Sequence, residues 1–144
     1  MVTVVLRTAY CVYLATLLYL VWEPDASTPG GVVVLLADLL EPLGLGDPVR
    51  VVEVALNVVL FVPFSLLGAF VLDRWRVVGW VLAGLALTLA IEAMQWLFLS
   101  GRSATVSDLV ANTSGALLGV LLADAVRRVL SGVPRRSTAD RMAP

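Results

Sequence analysis

The run VVEVALNVVLFVPFSLLGAFVL, residues 51–72, decides the fold. It carries a single ionisable side chain, Glu53, across a length that matches the roughly 20 mostly apolar residues a helix needs to cross a bilayer. Three further stretches have the same character: residues 4–22, 77–99 and 106–130. Arg7 stands close enough to one end of its segment to snorkel to the interface. Pro63 falls inside residues 51–72, where neighbouring helices in a bundle can satisfy the backbone groups it frees. The composition agrees, with 60% hydrophobic and 15% charged residues. Soluble domains carry about 25% charged residues. The sequence therefore predicts an all-α membrane protein, a four-transmembrane-helix bundle, over residues 1–130, followed by a disordered cytoplasmic tail over 131–144.

Working outward, Gly31–Leu40 (GVVVLLADLL) is apolar but too short to span, and Pro29 and Pro42 bound it. It reads as a short interfacial helix between the first and second spans, with a re-entrant segment as the alternative. No small-x-small cleavage site follows residues 4–22, so that segment is expected to be a retained helix. Trp22, Trp75, Trp80 and Trp96 lie near segment ends, where interfacial aromatics are expected.

All ten basic residues are arginines, and they are unevenly placed. Arg7, Arg74, Arg76, Arg127, Arg128, Arg135, Arg136 and Arg141 fall on one side of a four-span topology, and Arg50 and Arg102 on the other. The positive-inside rule then puts both termini in the cytoplasm. The chain has no His, and its one cysteine, Cys11, sits in an apolar run. A disulfide framework or a cysteine-based metal site within one chain is excluded, and no metal or cofactor is expected.

The informative residues are the polar ones inside the spans, because a carboxylate at mid-helix costs about 2.5–3.5 kcal/mol to insert. Glu53 and Asn57 are one turn apart in the second span. Glu92 and Gln95 share a face of the third, and Asp108 and Asn112 share a face of the fourth. Arg102 lies in the connection just before the fourth span. The topology brings these seven residues to similar depth in the outer half of the bilayer, as a candidate ligand-binding pocket. Ala111, Gly115 and Gly119 repeat every four residues beside Asn112, a small-residue face on which helices approach closely. Cross-helix bonding by these polar groups is also compatible with simple structural glue. Three acids outnumber the one nearby guanidinium, which makes Glu92 and Asp108 candidates for acid/base chemistry.

The segment Glu92-Ala-Met-Gln95, then Gly101-Arg102-Ser103, Asp108, Asn112, Gly115 and Gly119, resembles the VanZ-like family of bacterial integral membrane proteins. The shared pattern reads E-x-x-Q, G-R, then D-x-x-x-N-x-x-G-x-x-x-G. Asn57, Phe61 and Pro63 are similar to the family's N-x-x-x-F-x-P element. The match covers Asn57 to Gly119, under half the chain. Ser65 stands where many members have Gly, and Thr105 where an acidic residue is frequent. The resemblance implies a bacterial cell-membrane protein of the envelope, and its founding member is associated with low-level resistance to the glycopeptide teicoplanin. The partner expected is a membrane lipid or lipid-linked cell-wall precursor, with no nucleic acid and room for a homo-oligomer. Arg102 would meet a phosphate, and Asn57, Gln95 and Asn112 would bond a head group. The alternatives are a membrane-embedded enzyme acting through Glu92 or Asp108 on a lipid-linked substrate, and a small proton-coupled transporter.

Overall fold

A computed structural model describes residues 2–22, 27–44, 46–72, 76–98 and 105–132. They form α1 (Val2–Trp22), α2 (Ser27–Leu40) continued by a 3-10 turn (Glu41–Leu43), α3 (Pro48–Val71), α4 (Val77–Phe98) and α5 (Val106–Ser131), and no strand occurs among the described residues. Four of these helices, α1, α3, α4 and α5, are long and apolar enough to cross a membrane. The 14-residue α2 rises only about 21 Å at 1.5 Å per residue, short of a hydrocarbon core of about 30 Å. The tail from residue 133 and the connection carrying Arg102 lie outside the described residues.

The helices start where sequence chemistry permits. The Asp47 carboxylate accepts the backbone N–H of Arg50 at 3.1 Å, and Pro48 fills the first turn of α3, where a missing N–H is harmless. Thr105 caps α5 by accepting the N–H of Asp108 at 3.2 Å. At the far end of α5, Gly132 takes the left-handed conformation, with φ of 61°.

The best-packed pair is α3 with α5, and at two glycines α5 presses directly on backbone carbonyls of α3. A Cβ built on Gly115 would lie 2.3 Å from the carbonyl oxygen of Val58, and one on Gly119 would lie 2.1 Å from that of Val62. Beside the second step the buried Ser65 hydroxyl donates to the Ala116 carbonyl at 2.5 Å. The other elements are built onto this pair. Gly84 of α4 sits against Ala116, where an added Cβ would come within 2.4 Å of the alanine methyl. On α1, Leu17 packs with Phe61 and Ile91, and Tyr13 donates its hydroxyl to the Leu60 carbonyl at 2.5 Å. That bond falls beside Pro63, whose missing N–H has already interrupted the backbone ladder of α3.

One expectation from the sequence is corrected. Trp80 is not an interfacial aromatic; it is 1% exposed and belongs to the core. Gly68 on α3 leaves the space that the indole occupies, and Phe64 meets the ring edge-on at 5.8 Å. Trp96, by contrast, is 75% exposed. The outward faces carry Val12, Leu18, Leu82, Leu89, Leu117 and Leu121, an apolar surface suited to lipid.

The nearest atom facing Gly119 is the backbone oxygen of Val62, which cannot yield as a side-chain tip would, and beside it the Ser65 Oγ is tied to the Ala116 carbonyl. Gly119→Ala should therefore destabilise the bundle at or beyond the upper end of the about 1–3 kcal/mol typical of overpacking. Gly31→Ala, which meets open space, should be close to neutral. Thermal unfolding in detergent micelles checks this, and equal midpoints for the two variants would contradict the backbone contact.

Candidate functional site

The first turn of α5 collects a continuous chain of polar contacts. Asn57 donates its amide to Asp108 Oδ1 at 2.7 Å, joining α3 to α5. Thr105 donates its hydroxyl to Asp108 Oδ2 at 2.5 Å. A hydroxyl has one proton to give, so at the 2.8 Å contact between Thr105 and Ser107 the serine is the donor. Ser107 in turn accepts from Arg50 Nη2 at 3.1 Å. The chain thus runs in one direction, Arg50 to Ser107 to Thr105 to Asp108, and every donor in it points toward the carboxylate. Such alignment polarises successive bonds.

A second polar contact lies one turn deeper. Asn112, 6% exposed, donates its amide to the fully buried Thr88 hydroxyl at 2.7 Å, which joins α5 to α4. Asn112 Oδ1 is buried and has no hydrogen-bond partner among the described residues. In a low-dielectric interior such an acceptor carries a penalty of about 1–3 kcal/mol until a donor reaches it.

Of the residues singled out in the sequence, Asn57, Asp108 and Asn112 are held at one end of the α3–α4–α5 bundle, where α3 and α5 begin and α4 ends. Glu92 and Gln95 are half-buried on the same end of α4, and each is engaged with another group. Glu53 is exposed, and no hydrogen bond joins it to the chain among the described residues. Arg102 lies outside the described residues. Ala111, Gly115 and Gly119 are all buried, and the two glycines form the contact with α3. No three of the described acids and cysteines assemble into a metal-binding group.

Sequence reasoning missed four participants: Arg50, Thr88, Thr105 and Ser107. Arg50 reads only as a topology marker, and Thr88 stands alone in an apolar run with no polar neighbour at helical spacing before Glu92. For Thr105 a signal exists, because Thr105-Val-Ser-Asp108 before an apolar run is a helix-start pattern of the capping-box type. Here the acid accepts the cap's hydroxyl instead of the cap's backbone N–H.

The Thr88–Asn112 pair yields a prediction. Thr88→Val leaves the Asn112 amide without its partner and should destabilise the bundle by about 1–3 kcal/mol. Adding Asn112→Leu should recover part of that loss, giving a coupling of order 0.6 kcal/mol in a double-mutant cycle read by unfolding in micelles. Strict additivity would argue against the contact.

Comparison with known proteins bears on residues 9–127, which match the VanZ/LLP1 family model. No curated protein and no solved structure matches the chain.

Proposed function

The chain belongs to the VanZ/LLP1 family and is a multi-pass membrane protein, and from that premise we propose that it binds a lipid or lipid-linked cell-wall component through the polar end of its bundle. The observation that carries the reading is the polar set fixed at one end of three apolar helices. Asn57, Asp108 and Asn112 are held by cross-helix hydrogen bonds, and Asn112 keeps an acceptor for an incoming donor. Arg102, three residues before the Thr105 cap, supplies a cation for a phosphate. Both Asp108 oxygens already accept internal bonds, which supports a recognition role over acid/base chemistry at that carboxylate. In this reading the polar end faces outward from a bacterial cell membrane, with both termini in the cytoplasm. Altered tolerance of teicoplanin would follow if the bound component is a cell-wall precursor.

Two measurements test this. Arg102→Ala should reduce lipid retained in native mass spectrometry about tenfold, whereas Arg128→Ala at the other end of α5 should leave it near wild type; equal losses would remove the site. Arg128 already pairs with Asp124 one turn away, which makes it a suitable control. For orientation, a fluorescent-protein fusion at the C-terminus should fluoresce and an alkaline-phosphatase fusion there should be inactive. The reverse pattern would turn the polar end to the cytoplasm.

A further inference from the structure

We infer that Arg50 is a second cation of this site and holds a phosphate group on the free edge of its guanidinium; the inference rests on the lipid-binding reading above. Arg50 stands seven positions before Asn57, about 10 Å along the axis of α3. Its side chain nonetheless reaches Ser107, the neighbour of Asp108, across 57 residues of sequence. The guanidinium is therefore drawn toward the polar end of the bundle and fixed there by α5.

Its donors are mostly unspent. A guanidinium has five N–H groups in a planar fork, and the bond to Ser107 uses one at Nη2. Each hydrogen belongs to at most one two-donor edge, so at least one complete edge is left, whichever hydrogen Ser107 takes. No carboxylate lies within ion-pair distance of Arg50 among the described residues, and the side chain is exposed. Of the two acids equally near in sequence, Asp47 is occupied in capping α3 through the Arg50 backbone N–H, and Glu53, one turn further along α3, makes no ion pair with Arg50. An anchored, exposed arginine with an open two-donor edge and no counter-ion among the described residues matches the geometry of a phosphate mono- or diester, which it would bind through two parallel N–H···O bonds.

The surroundings decide where that anion sits. Asp108 occupies the first turn of α5, so the positive end of that helix already faces a carboxylate. A phosphate is thereby kept off the helix terminus and directed to the outer edge of Arg50. The Ser107 hydroxyl does not compete for it, because its proton is committed to Thr105.

The test uses the full-length protein in dodecyl maltoside, delipidated and then incubated with short-chain phosphatidylglycerol, with retained lipid read by native mass spectrometry. Arg50→Gln should lower retention about tenfold. Arg50→Lys, a charge without the fork, should recover only part of it, and Ser107→Ala should fall between Arg50→Gln and wild type. A parallel series adds inorganic phosphate: displacement at millimolar concentration identifies a free-phosphate site, and no displacement identifies a lipid head group. Circular dichroism and gel filtration establish that each variant is folded, and Ser107→Ala serves as the second probe should Arg50→Gln misfold. If Arg50→Gln and Ser107→Ala both retain lipid like wild type while Arg102→Ala does not, the role of Arg50 is overturned and the broader reading stands. If Arg102→Ala is silent as well, both fall.

Discussion

Everything in this bundle hangs on the approach of two backbones, where Gly115 and Gly119 of α5 press on the Val58 and Val62 carbonyls of α3. Lipid tails are as apolar as leucine, so burying apolar side chains gives membrane helices little reason to associate. What remains is close packing and hydrogen bonding, and both need short interhelical distances. The glycines provide that distance. It is short enough for Ser65 to reach the Ala116 carbonyl and for Asn57 to reach Asp108. A bulkier residue at either glycine would move α3 away from α5 and break both bonds at once.

The same constraint carries the other helices. Ala116 faces Gly84, which brings α4 close enough for Thr88 to meet Asn112. Gly68 admits Trp80, which fills the space between α3 and α4 and stacks edge-on against Phe64. Further along α3, Pro63 interrupts the ladder beside the carbonyl to which Tyr13 of α1 attaches. At the other end of the bundle Arg127 donates to the Ala69 carbonyl and lies 5.4 Å over the Phe70 ring. Polar contacts thus pin α3 to α5 at both ends, with the glycine contact between them.

The four spans and the short fifth helix were legible because apolar length is a nearly sufficient criterion in lipid. Residues 51–72 correspond to Pro48–Val71, and the earlier start comes from a Pro at the first turn and an Asp cap, local signals that an apolar window does not weigh. The glycine face was legible from its four-residue spacing. Trp80 was misplaced because position along a helix says nothing about which side faces a partner; only the void at Gly68, twelve residues away on another helix, places it in the core. Glu53 illustrates the same limit: sharing a helix face with Asn57 did not bring it into the hydrogen-bonded chain. Arg50 was read for its charge alone, since nothing in the sequence links position 50 to position 107.

The distribution of charge at the polar end bears on what kind of ligand could fit. Had Asp108 been absent, the open N-terminus of α5 would be a ready anion site. With Asp108 in place, that end is internally neutralised by its own carboxylate, which Asn57 and Thr105 hold on both oxygens. A ligand that was only an anion would gain little there beyond the arginine side. On the proposed lipid-binding reading, a ligand that joins a phosphate to hydroxyl or amide donors would serve two needs of the site, a phosphate for the open edge of Arg50 and a donor for the buried Asn112 Oδ1. Those needs lie at different depths, Asn112 being one turn, or about 6 Å, further along α5 than Asp108. On that reading, a molecule of that length and polarity, lying along the helix axis with an apolar tail among the exposed leucines, would be a glycosylated or glycerol-bearing phospholipid rather than a soluble ion.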